Sequence, residues 1–215
     1  MSARIAVLAS GSGTNLQALI DACNGSDFPG DIVVVLSDRP KAGALRRAEH
    51  AGIATEVVLK REYPDRPAWD AQAVAHLDKH RVDWVCLAGF MRLITDTFLD
   101  AYPNQILNIH PALLPAFPGL HAQRKTLEHQ ARCAGCTVHL VDGGTDTGPI
   151  IAQGIVPVLP GDDEATLKAR ILRMEHKVYP KALQWACEGR LAVVGREVKL
   201  QPAPTEGPLW FDPTP

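Results

Sequence analysis

The feature that most constrains the fold is a regular alternation of strand-like and helix-like segments along the first half of the chain. Short apolar, β-branched runs such as residues 4–9 and 32–36 predict buried strands. Between them, apolar residues recur at helical spacing, for instance from Thr14 to Cys23. This order is typical of an α/β fold, and we expect a mostly parallel central sheet with helices on both faces.

The same reasoning assigns elements to the whole chain. Predicted strands cover residues 4–9, 32–36, 54–59, 83–88, 105–109, 137–141, 150–158, 191–194 and 197–200. Predicted helices cover residues 14–23, 42–51, 67–80, 95–101, 122–131 and 163–188. We expect Pro180 to kink or split the last helix. Residues 1–200 are predicted to form a single domain, followed by a Pro-rich tail at 201–215 that is loosely ordered at least in part.

Composition excludes several classes of function. The 215 residues carry a net charge of −2 and no block of like charge, which argues against a nucleic-acid partner. No apolar stretch is long enough to span a membrane, and the apolar run at residues 5–8 is too short for a signal peptide. The five cysteines are odd in number and widely spaced, so we expect reduced thiols and a cytoplasmic protein.

Three polar segments follow predicted strands and are therefore expected to converge. Ligands of parallel α/β sheets bind beyond the carboxyl ends of the strands. The segments Gly11–Asn15, Gly89–Arg92 and Asn108–His110 all lie at such ends. We expect them to border one site.

The segment Gly11–Asn15 lies between a predicted strand and a predicted helix. Its glycines and the free N–H groups of the helix can bind an anion. Leu16 stands where a dinucleotide fingerprint has its third glycine, and a Walker lysine is absent, so a single phosphate fits better than a dinucleotide or triphosphate. The alternative is a tight turn capped by Ser12 or Thr14.

Asn108 and His110 form the sharpest candidate for catalysis. If the strand continues to His110, alternation puts both side chains on the same side. Together an amide and an imidazole can stabilise an oxyanion, and the imidazole can move a proton. Asp146 can orient and charge that imidazole if it reaches His110. Alternatively, His110 has no catalytic role, and the segment Asp142–Pro149 that carries Asp146 is an ordinary solvated hairpin loop.

Cys133 and Cys136 form a C-x-x-C motif near His129 and His139. Zinc sites use such ligands, but the pair precedes a predicted strand in a predicted loop, which does not fit a thioredoxin-like motif. We interpret the two cysteines as incidental and expect no metal. Glu175 lies in the long predicted helix, where the sequence alone favours an ordinary surface position.

Taken together, these motifs resemble the phosphoribosylglycinamide formyltransferase family of folate-dependent purine-synthesis enzymes. The resemblance runs in order over about residues 4–195. Its motifs are Gly11-Ser12-Gly13-Thr14-Asn15, Leu87-Ala88-Gly89-Phe90-Met91-Arg92, Leu107-Asn108-Ile109-His110-Pro111-Ala112-Leu113-Leu114-Pro115, Phe117-Pro118-Gly119-Leu120-His121, Thr137-Val138-His139, Asp146-Thr147-Gly148-Pro149-Ile150 and Glu175-His176-Lys177-Val178-Tyr179-Pro180.

The resemblance implies a Rossmann-like formyltransferase fold and transfer of a formyl group from 10-formyltetrahydrofolate to the amine of phosphoribosylglycinamide. It implies a catalytic trio of Asn108, His110 and Asp146. It implies that the phosphorylated substrate is bound by Gly13, Thr14, Asn15 and Glu175. The residues implied to bind the folate are Arg66, Met91, Arg92, Leu93, Ile94, Asn108, Val141, Asp142 and Asp146. The partners expected are these small molecules, with no nucleic acid or membrane, for a monomer or homodimer.

Other functions remain as alternatives. A formyltetrahydrofolate hydrolase shares the Asn-x-His core but usually has a preceding regulatory domain, for which the first strand at Arg4 leaves no room. A methionyl-tRNA formyltransferase needs a further RNA-binding domain and a basic surface. A non-catalytic folate- or phosphate-binding protein with the same fold would not need Asn108, His110 and Asp146. All three are present here, which argues against that alternative.

Overall fold

In the computed structural model, which describes residues 2–203, 207–212 and 214, the chain forms two units, Met1–Asn108 and Ile109–Pro215. The boundary between them falls inside a strand, Ile106–His110. The prediction of one domain over residues 1–200 stays a prediction.

The first unit alternates strands with helices. Its strands are β1 (Ala3–Leu8), β2 (Gly30–Ser37), β3 (Ala54–Val57), β4 (Trp84–Leu87) and the first part of β5 (Ile106–His110). Its helices are α1 (Thr14–Cys23), α2 (Gly43–His50), α3 (Arg66–Lys79) and α4 (Asp96–Ala101), with a short 3₁₀ helix at Lys60–Glu62. The strand order is β3-β2-β1-β4-β5, and every pair is parallel. The predicted mostly parallel α/β fold is confirmed.

The register of this sheet brings the ends of three strands level. Leu8 at the end of β1 pairs with Leu87 at the end of β4, and Leu87 pairs with Asn108 on β5. The backbone N–H of Ser10 donates to the carbonyl of Gly89 over 3.2 Å. The loops that follow β1 and β4 therefore meet beside Asn108, as their positions at strand ends predicted.

The second unit has a different arrangement. Its elements are α5 (Ala122–Glu128), β6 (Cys133–Leu140), β7 (Ile150–Pro157), α6 (Glu164–Cys187), β8 (Leu191–Val194), β9 (Glu197–Leu200) and β10 (Leu209–Phe211). Strand β7 pairs antiparallel with β6 and parallel with β9 and β10, while β8 and β9 form the predicted terminal hairpin.

The structure bears on three predictions about this unit, of which only the first was wrong. Cys133–Cys136 belong to β6 and not to a loop, because they pair with β7 from Pro157 to Gly154. Pro180 does not split α6, since buried residues on both sides of it keep one continuous helix. The Pro-rich tail is ordered where β10 adds to β7 and Trp210 packs on Trp185, with ring centroids 5.6 Å apart. Residues 204–206, 213 and 215 of the tail lie outside the described residues.

Helix α6 begins at a reciprocal cap. The carboxylate of Asp163 accepts from the backbone N–H of Thr166 over 2.8 Å, and the Thr166 hydroxyl accepts from the backbone N–H of Asp163 over 2.9 Å. This capping box satisfies donors that the first turn leaves without partners. No helix in the part of the chain that the structure describes is long and apolar enough to cross a membrane.

We predict that Asp163→Ala lowers the free energy of unfolding by about 1 kcal/mol, the usual loss when an N-cap side chain is removed. Urea denaturation of the variant and the wild type measures this difference. Asp163→Asn, which keeps an oxygen acceptor for Thr166, is the matched control and should lose less. Equal stability of Asp163→Ala and the wild type would contradict the capping role.

Candidate active site

A buried histidine and a carboxylate form the centre of the candidate site in the second unit. Nδ1 of His110 lies 3.2 Å from Oδ2 of Asp146. Strand β5 ends at His110, which is only 5% exposed, and Asp146 lies in the loop between β6 and β7. The structure thus brings together two predicted catalytic residues that are far apart in sequence.

The other ring nitrogen of His110 is also engaged. Nε2 lies 3.0 Å from the carbonyl oxygen of Phe117, an atom that can only accept a hydrogen bond. A neutral imidazole carries one proton, so it can satisfy Phe117 or Asp146 but not both. The imidazolium form donates to both, and these two contacts therefore favour a charged His110.

Burial opposes that preference and outweighs it. Burial is the largest influence on His110 and lowers its pKa below the usual value, because a charged ring is poorly solvated there. The Phe117 carbonyl and the Asp146 carboxylate raise the pKa by a smaller amount, and the neighbouring His139 and Lys125 side chains lower it further. The pKa of His110 is therefore lowered overall, although Asp146 raises it, as expected for a neighbouring carboxylate.

Asp146 is held by more than His110. Burial pushes the pKa of Asp146 up, but the contact with His139, the Gly119 amide and the nearby His110 ring together bring that pKa below its usual value. The backbone N–H of Gly119 donates to Oδ2 over 2.8 Å, and Nε2 of His139 lies 3.7 Å from Oδ1. The backbone of Asp146 has a φ of +54°, in the left-handed region that aspartate tolerates better than most residues. The carboxylate is therefore ionised and fixed in direction.

His139 is a member of this cluster that the sequence analysis did not assign to it. The residue is 1% exposed on β6, and its Nδ1 lies 2.8 Å from the carbonyl of Leu140, so Nδ1 donates and Nε2 faces Asp146. The sequence offered one signal, because His139 precedes the loop that carries Asp146. His139 also belongs to the family-like motif Thr137-Val138-His139, which by itself assigns no role to the residue.

The loop between β6 and β7 has internal hydrogen bonds. Oδ1 of Asp142 accepts from the backbone N–H of Gly144 over 3.0 Å and from the hydroxyl of Thr147 over 2.6 Å. Val141 and Asp142, two predicted folate residues, are both half-buried. Thus Asp142 organises the loop that presents Asp146.

The predicted phosphate loop lies in the first unit, between β1 and α1. Gly13 is the N-cap of α1 with a φ of +76°, and a Cβ there would come within 2.6 Å of the Ala44 backbone. Only glycine fits such a position. The side chains of Thr14 and Asn15 follow in the first turn of α1, where backbone N–H groups lack partners within the helix.

The remaining predicted folate residues of the first unit are Arg66, Met91, Arg92, Leu93, Ile94 and Asn108. Arg66 is exposed at the first position of α3, and residues 91–94 lie in the segment without regular secondary structure between β4 and α4. The guanidinium of Arg92 lies 4.3 Å above the ring centroid of Trp69. Asn108 is half-buried beside Leu87, at the edge where the loops after β1 and β4 meet.

The structure corrects the interpretation of Glu175 as a surface residue, and it separates the two cysteines. Glu175 is 6% exposed in α6 and is not a surface residue, and its charge together with burial raises the pKa of Cys136. Cys133 is exposed whereas Cys136 is buried. Residues three apart on a strand point to opposite faces, so the two cysteines cannot act together. Among the described residues, no group of three or more His, Cys, Asp or Glu side chains is arranged to hold a metal.

Comparison with known proteins gives a consistent result. Residues 3–183 match the model of the formyl transferase family. Phosphoribosylglycinamide formyltransferase of Escherichia coli (strain K12) is 43% identical over 187 residues, which cover 87% of this chain and 88% of that protein. The crystal structure of glycinamide ribonucleotide transformylase 1 from Symbiobacterium toebii superposes on this chain with a TM-score of 0.91 at 53% sequence identity. The match covers 93% of this chain and 94% of that chain.

A multidomain relative matches over a small part of its length. The trifunctional purine biosynthetic protein adenosine-3 of Drosophila pseudoobscura pseudoobscura is 46% identical over 201 residues, which are 93% of this chain and 15% of that protein. This chain therefore spans about 15% of the length of that relative.

The α/β fold and the pairing of His110 with Asp146 are suited to acyl-group chemistry, and the family match makes the class specific. This chain belongs to the formyl transferase family. The relatives that it covers almost completely are named phosphoribosylglycinamide formyltransferases, so the predicted family resemblance is confirmed.

We predict that His110 contributes to the acid sensitivity of the fold. Because its folded pKa is lowered, the unfolded chain binds more protons than the folded chain as the pH falls through the histidine range, so stability is lost there. Between about pH 7 and about pH 5, the free energy of unfolding of His110→Asn should depend less on pH than that of the wild type.

Urea denaturation across this range measures the slope, with the exposed His50→Asn as the control for removing a histidine. A slope in His110→Asn equal to or steeper than that of the wild type would contradict the lowered pKa.

Proposed function

We propose that this protein transfers the formyl group of 10-formyltetrahydrofolate to the primary amine of phosphoribosylglycinamide, in purine biosynthesis. The observation that carries the proposal is the buried pair of His110 and Asp146 in a chain that belongs to the formyl transferase family. The relatives that this chain covers almost completely are named for this reaction. We therefore assign 10-formyltetrahydrofolate as the co-substrate and tetrahydrofolate as the folate product.

The reaction is a direct acyl transfer. The substrate amine attacks the formyl carbon and forms a new C–N bond, and collapse of the tetrahedral intermediate breaks the bond to N10 of the folate. One proton moves from the attacking nitrogen to N10, so the products are the formylated amine and tetrahydrofolate. Binding both substrates side by side supplies a large part of the acceleration, since it makes the attack effectively intramolecular.

His110 and Asn108 are the groups we assign to the oxyanion. A ring N–H of His110 and the side-chain amide of Asn108 donate to the oxygen of the tetrahedral intermediate. In this structure Nε2 of His110 is hydrogen-bonded to the Phe117 carbonyl. This hydrogen bond must break before Nε2 can donate to a substrate oxygen. The ring then serves as the relay for the transferred proton.

Asp146 makes the charged form of His110 accessible. Burial alone disfavours the imidazolium, and the carboxylate 3.2 Å away opposes that effect. The Gly119 amide holds the carboxylate oxygen that faces His110, and His139 faces the other oxygen. We therefore assign Asp146 to orienting the imidazole and stabilising its charge, and His139 to positioning Asp146.

Substrate binding is assigned to predicted residues in each unit. Gly13, Thr14 and Asn15 hold the substrate phosphate at the start of α1, where backbone N–H groups and the helix dipole favour an anion. Glu175 holds the other end of this substrate. The folate residues are those named above, with Asp142 ordering the loop at 142–146.

Three further assignments go with this function. No metal takes part, the protein works in the cytoplasm, and its partners are small molecules. The choice between monomer and homodimer stays a prediction from the sequence.

A spectrophotometric assay with a 10-formyl folate analogue tests the proposal. Deformylation that requires phosphoribosylglycinamide is the expected result. Deformylation without the ribonucleotide would replace the proposal with a hydrolase. A folded protein that binds folate without turnover would replace it with a binding protein.

We predict that His110→Ala lowers kcat by about 100-fold or more, since it removes both an oxyanion donor and the proton relay. Folate binding should persist, because His110 is assigned to the reacting atoms rather than to the pterin. Steady-state kinetics and equilibrium binding measure the two effects, with the exposed His50→Ala as the control. Turnover near the wild-type rate in His110→Ala would sink the assignment.

We predict that Asn15→Ala raises KM for phosphoribosylglycinamide about tenfold, the effect of one lost hydrogen bond to a charged group, with little change in KM for the folate. Asn24→Ala, at the opposite end of α1, is the matched control and should leave both constants unchanged. An unchanged KM for the ribonucleotide in Asn15→Ala would count against the phosphate loop.

A further inference from the structure

The segment from Met91 to Thr95 has no regular secondary structure, yet three side chains of the first unit anchor it. The backbone N–H of Met91 donates to the hydroxyl of Ser10 over 3.1 Å. The guanidinium of Arg92 stacks on Trp69, and Thr95 is bound by Asp70. Two of the three anchors are thus consecutive residues of α3.

Asp70 is the most unusual of these anchors because it is an acid on the buried face of a helix. It is 1% exposed and shares that face with Trp69, Ala73 and Leu77. Its Oδ2 accepts from both the backbone N–H and the hydroxyl of Thr95, each over 2.7 Å. An acid buried in an apolar face costs free energy unless such strong hydrogen bonds offset it.

Trp69 provides the second anchor and is itself held in place. Its indole N–H donates to the carbonyl of Val58 over 2.8 Å, which fixes the plane of the ring. The ring packs against Phe90, with centroids 5.7 Å apart, and carries the Arg92 guanidinium on its face. The position of Arg92 therefore depends on α3 as well as on its own segment.

Between these anchors, the segment exposes apolar side chains. Met91 is 58% exposed and Leu93 is 50% exposed, although both are large and apolar. Exposed apolar side chains on a fixed backbone are suited to a flat apolar ligand, because little conformational entropy is lost on binding. This segment is the one assigned above to the folate.

We propose that Asp70 is a positioning residue for the formyl folate: through Thr95 it fixes one end of the segment at 91–94, while Trp69 fixes Arg92 within it. The proposal rests on the proposed function. Asp70 is buried and does not touch the ligand, so its effect is on the affinity for the folate and not on the chemical step. The affinity for the ribonucleotide should not change when Asp70 is replaced.

The test separates these kinetic constants. Asp70→Ala should raise KM for the 10-formyl folate about tenfold, the cost of the strong hydrogen bonds it loses, with kcat and KM for phosphoribosylglycinamide unchanged. Asp70→Asn should restore most of the affinity, because one amide oxygen can accept from both donors of Thr95. Thr95→Val, which removes only the hydroxyl, should fall between the wild type and Asp70→Ala and tests the same contact if Asp70→Ala does not fold.

Asp163→Ala is the matched control, because it also removes an aspartate that accepts a hydrogen bond from a threonine backbone N–H, but it lies in the second unit. It should lower stability and leave every kinetic constant unchanged. If Asp70→Ala and Thr95→Val lower stability in the same way without raising KM for the folate, Asp70 is merely structural and the proposal is overturned.

Failure of the proposed function gives a different pattern. A wild-type protein that neither transfers the formyl group nor binds tetrahydrofolate would overturn both proposals. A wild-type protein that binds tetrahydrofolate without transfer would overturn only the function. Equilibrium binding of tetrahydrofolate to the same variants then decides the role of Asp70, with a weaker affinity in Asp70→Ala as the supporting result.

Discussion

The carboxylate of Asp146 is the group around which the second unit arranges its polar interior. One oxygen lies 3.2 Å from His110 and accepts from the Gly119 amide, and the other faces His139. These contacts join the end of β5, the loop after it and strand β6 to one charge. The two rings are buried, and a backbone group also holds each of the three side chains, so the cluster is fixed from several directions. The opposing effects of burial and charge on His110 are the physical basis of the proposed catalysis.

The first unit supplies a different kind of order, which comes from backbone register. Parallel pairing brings the ends of β1, β4 and β5 level, so the glycine loop, the segment after β4 and Asn108 meet without any ion pair between them. Helix α3 adds fixed anchors for that segment through Trp69 and Asp70. The scaffold thus places the glycine loop and the segment after β4 at one edge of the sheet, which is where ligands of parallel α/β sheets bind and where we propose the phosphate and the folate.

The sequence predicted the local elements well where periodicity was strong. Helix α1 covers Thr14–Cys23 as predicted, and the strands of the first unit are within a few residues of their predicted bounds. It failed where tertiary pairing decides the structure. Cys133–Cys136 contain weak strand formers, and only pairing with β7 makes them a strand, as it also does for β10. The motif search found His110 and Asp146, but their contact and the part of His139 are distances that no sequence pattern contains. The burial of Glu175 was missed because the pattern of α6 did not show which face is covered.

A histidine titration by NMR tests the central interaction most directly. The ring signals of His110 are followed with pH in the wild type and in Asp146→Asn, with His110→Asn used to assign them. The account predicts that the pKa of His110 in the wild type lies below its usual value of 6.5 and falls further in Asp146→Asn, because burial remains while the compensating charge is lost. A wild-type pKa above that value, or a pKa that does not change in Asp146→Asn, would contradict it.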